Sequence, residues 1–268
     1  MVFAFNLAPH RYICSMIGET ALNRRIVALT GKDALAFLQG VVSNDVLPLA
    51  RGPGLVWTAV LTPQGKYLAD FFVVQAGGLF LDLPEAVADA TLRRLSIYRL
   101  RADVQLVPTT LSVTRGLGPA PEGALPDPRH PGLGWRAYGT AGTAPMIDWN
   151  AIRVAHVIPE TGVELIPDDS YLLETGFERL HGVDFRKGCY VGQEVTARMK
   201  HKTDLRKGLR QVIVEGAAPV GTPIMADDKE AGKLYTQSGG RGIAYLRFDR
   251  VTAAMTAGDA VIRVSETS

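Results

Sequence analysis

The residues most suited to chemistry lie between Arg186 and Arg198, in the run RKGCYVGQEVTAR. Cys189 stands between Gly188 and Gly192, which permit backbone angles closed to other residues. Gln193 to His201 has helical composition, so the sulfur belongs to a tight loop just ahead of a helix N-terminus. The N–H groups of that terminus and the neighbouring Arg186 and Lys187 favour a thiolate. On that reading Cys189 is a reactive or ligand-contacting sulfur and Lys187 is its activating charge. Gln193 and Glu194 add an amide and a carboxylate at the same turn. The ordinary alternative is a cysteine buried for packing. A further carboxylate, Asp70 in KYLAD, follows a Pro- and Gly-containing turn at Thr62–Gly65. It is either a binding group, able to accept from ring N–H donors and to hold a proton, or a solvent-facing strand residue. Glu160 and Glu164 in PETGVE form an acid pair that strand alternation would equally place on an exposed face. Asn44 and Asp45 read as turn caps.

These groups sit in a chain of 268 residues, 47% hydrophobic and 21% charged, which suits two folded domains rather than a disordered tail. No apolar run approaches the ~20 residues of a membrane span, and MVFAFNLAPHR has no basic segment ahead of its apolar stretch. The expectation is a cytoplasmic protein without membrane contact. The two cysteines, Cys14 and Cys189, rule out a disulfide framework and a self-contained four-cysteine site. The histidines show no ligand spacing with them, so no resident metal is expected. Between Arg179 and Arg210 lie nine Lys/Arg and three acids, while the chain as a whole carries only +2. This local charge suits an anionic ligand, an acidic protein partner or a solvated face. Tyr190 is the one aromatic between Lys187 and Arg210, which disfavours a base-stacking platform for nucleic acid, although phosphate binding by charge remains open.

The positioning elements follow from pattern. Strands are expected at Arg24–Leu29, Val56–Leu61, Lys66–Gln75, Leu79–Leu83, Val104–Val107 and Leu111–Arg115. Thr30 is expected to cap a helix over Lys32–Gln39, and Pro84 to open one through Val87, Thr91, Leu95 and Tyr98. Gly116–Gly134 reads as a loop, Asp148 as the cap of a helix through His156, and Tyr171–Glu174 as another short helix. After Arg206, short apolar strands separated by Gly and Pro predict a small β-barrel or sandwich.

KGCYVGQE resembles the signature of the YgfZ family of folate-binding proteins, relatives of the glycine-cleavage T-protein. FLQGVVSNDV (Phe37–Val46), VLTPQGKYLADFFV (Val60–Val73), YRLRADV (Tyr98–Val104), DPR (Asp127–Arg129) and RVAHVIPETGVEL (Arg153–Leu165) follow in the family's order. LRAD, DPR and QEVTAR resemble the iron–sulfur cluster assembly branch. The resemblance implies an α+β, aminomethyltransferase-like cloverleaf with ferredoxin-like folate-binding parts. Residues 1–205 would form the folate-binding region, as two intertwined subdomains of roughly 1–50 plus 148–205 and 51–147, with a C-terminal β-barrel over 206–268. It implies tetrahydrofolate or a derivative as cofactor, bound by Asp70, Asn44, Glu160, Tyr190, Gln193, Glu194 and Arg198, with Cys189 and Lys187 carrying the chemistry. One pocket is expected to be lined by both Asp70 and the Lys187–Glu194 loop, with the basic segment meeting the folate tail or an acidic partner. The implied role is support of iron–sulfur cluster assembly or repair, with assembly proteins or client enzymes as partners. Two cysteines cannot hold a cubane cluster within one chain, so any cluster contact would be transient or completed by other ligands. A folate-dependent one-carbon (aminomethyl) transferase or demethylase is the first alternative. Ala69-Asp70 stands against it, because the T-protein has two adjacent acids there. An RNA-binding factor acting in tRNA modification is the second.

Overall fold

The computed structural model describes residues 18–139, 141–201 and 204–265; Cys14 lies outside them. After a short strand β1 (Gly18–Thr20), the chain builds an antiparallel five-stranded sheet. Its strands are β2 (Arg24–Thr30), β3 (Gly54–Leu61), β4 (Tyr67–Gln75), β5 (Leu79–Pro84) and β6 (Gln105–Pro108), in the order β3-β4-β5-β2-β6. Helices α1 (Ala34–Val41) and α2 (Glu85–Tyr98) cover one face. Along β4 the side chains alternate. Ala69, Phe71 and Val73 join the helix-side core, whereas Phe72 and Val74 join the core on the opposite face, where Asp70 also points. Burial on both faces explains why β4 reads as a nearly unbroken apolar run.

Two helix starts differ from the sequence reading. Thr30 ends β2, and α1 begins after Asp33, whose carboxylate accepts the Asp103 N–H instead of capping its own helix. Pro84 closes β5 and stands one position before the first residue of α2. The sequence division near residue 50 does not follow the sheet, because β2 pairs with both β5 and β6.

A second sheet is formed by β1, β7 (Ser112–Gly116), β8 (Leu125–Pro126) and β9 (Trp135–Gly139), in the order β1-β7-β9-β8. The stretch read as a loop therefore contains a strand. These strands are too short for alternation to reveal, and their partners lie far apart in sequence. Helix α3 (Trp149–His156) is capped as expected, with the Asp148 carboxylate accepting the Ala151 N–H at 2.9 Å. Tyr171–Glu174 forms turns rather than a regular helix. Just before it the backbone is drawn to the β4 edge, where Ser170 O accepts from Tyr67 N at 2.8 Å and Asp168 N donates to Tyr67 O at 2.8 Å. Leu172, Leu173, Phe177 and Leu180 then pack onto the sheet face opposite α1 and α2.

Helix α4 (Gln193–His201) leads to β10 (Lys207–Glu215), β11 (Thr222–Ala226), β12 (Lys229–Ser238), β13 (Arg241–Arg247), β14 (Met255–Ala257) and β15 (Ala260–Val264). These close a barrel in the order β10-β13-β12-β11-β14-β15. Val212, Ile224, Leu234, Leu246 and Ile262 fill its interior. Polar bonds tie it to the body: Gln211 Nε2 donates to Val154 O at 2.8 Å, and Thr236 Oγ1 donates to Glu164 at 2.5 Å. Among the described residues no helix is long and apolar enough to cross a membrane.

Candidate functional site

The expected site residues fall into three places. The first is a cavity of about 110 Å³ beneath the β4 face, walled by Asp70, Phe72, Trp149, Glu160 and Thr161 and by five arginines: Arg24, Arg115, Arg129, Arg136 and Arg153. Asp70 is 5% exposed, so it is not a solvent-facing strand residue. Its Oδ2 accepts from Trp57 Nε1 at 2.7 Å; its Oδ1 accepts from the Tyr67 hydroxyl at 2.7 Å and from Thr161. Three donors leave the carboxylate capacity for about one more. Burial, with the Asp70 carboxylate beside it, raises the Tyr67 phenol well above its usual range, so Tyr67 remains a donor.

Glu160 and Glu164 do not lie on a strand. PETGVE is a turn closed by a Thr161–Leu165 bridge. Both acids are taken by Arg153, whose Nη1 lies 2.8 Å from Glu160 and whose Nη2 pairs with Glu164. Glu164 is buried, because its other oxygen serves Thr236 in the barrel; Glu160 reaches the cavity wall.

Nothing in the sequence groups the cavity arginines, whereas the basic run at Arg179–Arg210 is contiguous. Four of them are locked. Arg24 and Arg136 share the fully buried Asp82, each at 2.6 Å. Arg129 forks onto Asp127 at 2.9 and 2.7 Å, and Arg153 is held as described. Burial of Asp82 opposes its ionisation, but the two guanidinium groups outweigh it and hold its carboxyl below the usual range. Arg115 differs. It lies 4.3 Å over the Trp149 ring, and among the described residues its one ion pair is a 3.4 Å contact with Glu19 and its buried Nε–H has no partner. Burial lowers its guanidinium to about 10. Its signal in sequence, one arginine in an ordinary strand, was indistinguishable from a surface charge.

The second place is the Cys189 loop, which does not line the Asp70 cavity. Tyr190 turns inward and joins the core under the sheet. Lys187 Nζ donates to Gln39 O at 2.6 Å and to Val42 O, so the ammonium caps the C-terminal end of α1. Gln39 returns a bond from Nε2 to Lys187 O at 3.2 Å and accepts from Val46 N at 3.1 Å. Burial lowers the Lys187 ammonium to about 8. The side chain expected to activate the thiol is therefore engaged in holding the loop to α1.

The other side of the loop is fixed by glycines. Gly192 has φ +82° and Gly65, in the β3–β4 turn, has φ +74°. A Cβ on Gly192 would meet Thr62 O at 2.5 Å, and one on Gly65 would meet Val195 Cβ at 2.8 Å. The TPQG turn and the KGCYVGQE loop thus touch through their backbones, which accounts for both glycines. Gln193 Oε1 accepts the Tyr190 N–H at 3.2 Å and so closes the entry to α4. Glu194, Arg198 and Cys189 itself are exposed, and Cys189 is a free thiol, which removes the buried-cysteine alternative.

The third place is an open groove lined by Asn44, Asp45, Trp57, His181 and Phe185. Asn44 Nδ2 donates to Trp57 O at 2.8 Å and to His181 O at 2.7 Å, while Asp45 caps the following turn through Leu47 N at 3.1 Å. Trp57 lies along this groove, and its indole N–H is bonded to Asp70, which walls the cavity. Among the described residues no group of three or more His, Cys, Asp or Glu could hold a metal ion.

Residues 206–268 match the family described as CAF17, C-terminal beta-barrel domain. The chain is 31% identical over 240 residues to a mitochondrial iron–sulfur cluster assembly factor IBA57 homolog of Neurospora crassa, covering 74% of this chain and 54% of that protein. It is 29% identical over 276 residues to mouse IBA57, covering 85% and 76%. Its homologues are the IBA57 iron–sulfur cluster assembly factors. The Mycosarcoma maydis homologue is 28% identical, and the chain spans 66% of its length and about half that of the Neurospora protein. The fold is that of glycine cleavage aminomethyltransferase T: the Bartonella henselae structure superposes with a TM-score of 0.71 over 93% of this chain and 84% of that one, at 11% identity. That likeness establishes the architecture alone. The α+β body with a C-terminal barrel expected from the sequence is therefore the architecture present.

Proposed function

We propose that the protein supports iron–sulfur cluster assembly or repair, with a reduced folate in the Asp70 cavity and the Cys189 sulfur offered to a cluster-bearing partner. The observation that carries the reading is an exposed free thiol on a loop fixed from two sides, in a chain whose homologues are named assembly factors. A sulfur held this way reaches outward without needing its own fold to open. With Cys189 the one cysteine among the described residues, the partner supplies the remaining ligands to any cluster it touches. A cytoplasmic or other reducing compartment fits a free surface thiol.

The cavity suits the folate head in its donor set. Asp70 has room for one ring N–H, Phe72 and Trp149 put aromatic carbon in its wall, and the Arg115 Nε–H, unpartnered among the described residues, offers a donor to an oxygen. Folate bound there would supply one-carbon chemistry, whereas the chain's own groups bind and orient. Aminomethyl transfer is less well supported. Ala69 packs into the helix-side core, so β4 brings a single acid to the cavity, and Glu160 is already paired with Arg153. RNA binding is also less well supported. Arg179 is bonded to His156 O and Val157 O, Lys187 to α1, Lys200 to Glu178 and Lys207 lies beside Glu174, so much of the basic run already faces protein acceptors.

The test is complementation of a deletion strain, read as the activity of four-iron enzymes. Cys189→Ser is expected to fold normally and to restore less than about a tenth of the wild-type activity, since a hydroxyl supplies no thiolate at neutral pH. Full restoration by Cys189→Ser overturns the role of the sulfur.

A further inference from the structure

The cavity has a second hollow beside it. This outer basin is lined by Ile147, Asp148, Asn150 and four residues that also wall the cavity: Arg115, Trp149, Arg153 and Glu160. The shared residues form the waist between the two spaces. Two of them neutralise each other, since Arg153 and Glu160 pair at 2.8 Å. Asp148 is engaged in capping α3 through the Ala151 N–H at 2.9 Å. Arg115 is the cation left at the waist with unused donors.

Glu19 does not satisfy it. That buried carboxylate already accepts from Met146 N at 2.7 Å, from Ile147 N at 3.0 Å and from Trp149 Nε1, so it pins the segment leading into α3. Its contact with Arg115 is the longest of its bonds, at 3.4 Å. The guanidinium carbon lies 4.3 Å over the Trp149 ring, and among the described residues the buried Nε–H has no acceptor. An arginine held over an aromatic ring with donors of its fork unfilled is arranged to receive a planar oxyanion in two bonds. By contrast, Arg24, Arg129 and Arg136 have such partners in Asp82 and Asp127.

We infer that Arg115 receives a ligand carboxylate at the waist, so that the cavity takes the flat head of a ligand and the basin its acidic tail. Resting on the folate reading of the cavity, this assigns the glutamate carboxylate of the folate to Arg115 and not to the basic run at Arg179–Arg210, none of which lines either hollow.

The experiment is a calorimetric titration of the full chain with three probes: tetrahydrofolate, the primary amide of tetrahydropteroate, which has neither the glutamate nor any carboxylate, and glutarate alone. Arg115→Met is expected to weaken tetrahydrofolate about 10- to 100-fold. It should change the tetrahydropteroate amide by less than about 3-fold, because that ligand has no carboxylate to lose. Arg115→Lys keeps the charge opposite Glu19 but has neither Nε–H nor fork. It should fall between wild type and Arg115→Met, and it serves if the methionine variant does not fold. Equal losses for both folates, or no loss for either, overturn the assignment. If the wild type binds neither folate, the folate reading of the cavity fails. Arg115-dependent binding of glutarate then still supports a carboxylate site, and its absence overturns that too.

Discussion

The Asp70 cavity and the Cys189 loop are built by opposite means. Around Asp70, side chains do the positioning: an indole, a phenol and a threonine hydroxyl hold one carboxylate, and ion pairs through Asp82 and Asp127 hold most of the arginines around it. Around Cys189, backbone does most of it: left-handed Gly192 lies against left-handed Gly65 of the β3–β4 turn, and a lysine is bonded to main-chain carbonyls of α1. The first arrangement makes an enclosed recess whose remaining hydrogen-bonding capacity defines a ligand. The second leaves a sulfur outside, with no side chain of its own set reserved for recognition. A recess of that kind has the form of small-molecule sites, and in the proposed function the outward sulfur meets a partner protein.

The contrast can be broken most severely at Gly192. Gly192→Ala must place a Cβ against Thr62 O at φ +82°, and the backbone strain alone costs about 1 to 3 kcal/mol. Support of cluster enzymes should fall several-fold, and the thermal midpoint should drop. An unchanged midpoint by calorimetry would mean that the two motifs do not depend on close backbone contact.

Lys187 gives a smaller effect and a sharper one. Removing two charge-assisted bonds from a partly exposed site, Lys187→Met should destabilise by about 1 kcal/mol. Hydrogen exchange in residues 186–192 should then speed up, and alkylation of Cys189 should become faster. Slower alkylation would restore the lysine to the role of thiol activator. Its titration adds a pH signature. With the folded ammonium lowered to about 8, below its unfolded value of about 10.5, the unfolded chain binds more protons between those values. Wild-type stability should therefore rise relative to Lys187→Met as pH increases from about 8 towards 10.5. Parallel denaturant midpoints across that range would contradict the buried ammonium.

What was legible in the sequence was local. The TPQG hairpin, the apolar β4, the α4 composition and the barrel texture all rest on neighbours within a few residues, and they are present. The burial of Asp70 was not legible, because the residues covering it come from the turns between α3 and α4. PETGVE looked like an alternating strand because tight turns carry no period. Lys187 looked like a partner of Cys189 because it is near in sequence, whereas its acceptors lie in α1. The five cavity arginines are scattered along the chain, and only the meeting of two sheets and α3 makes them one wall.

The central claim is that the small-molecule site and the sulfur site are separate. Tetrahydrofolate titration of wild type, Asp70→Asn and Cys189→Ser tests it in one series. The account predicts that Asp70→Asn weakens binding about 10-fold or more, through loss of a charged acceptor, while Cys189→Ser binds as the wild type does. Wild-type affinity in Asp70→Asn, or a matching loss in Cys189→Ser, would contradict it.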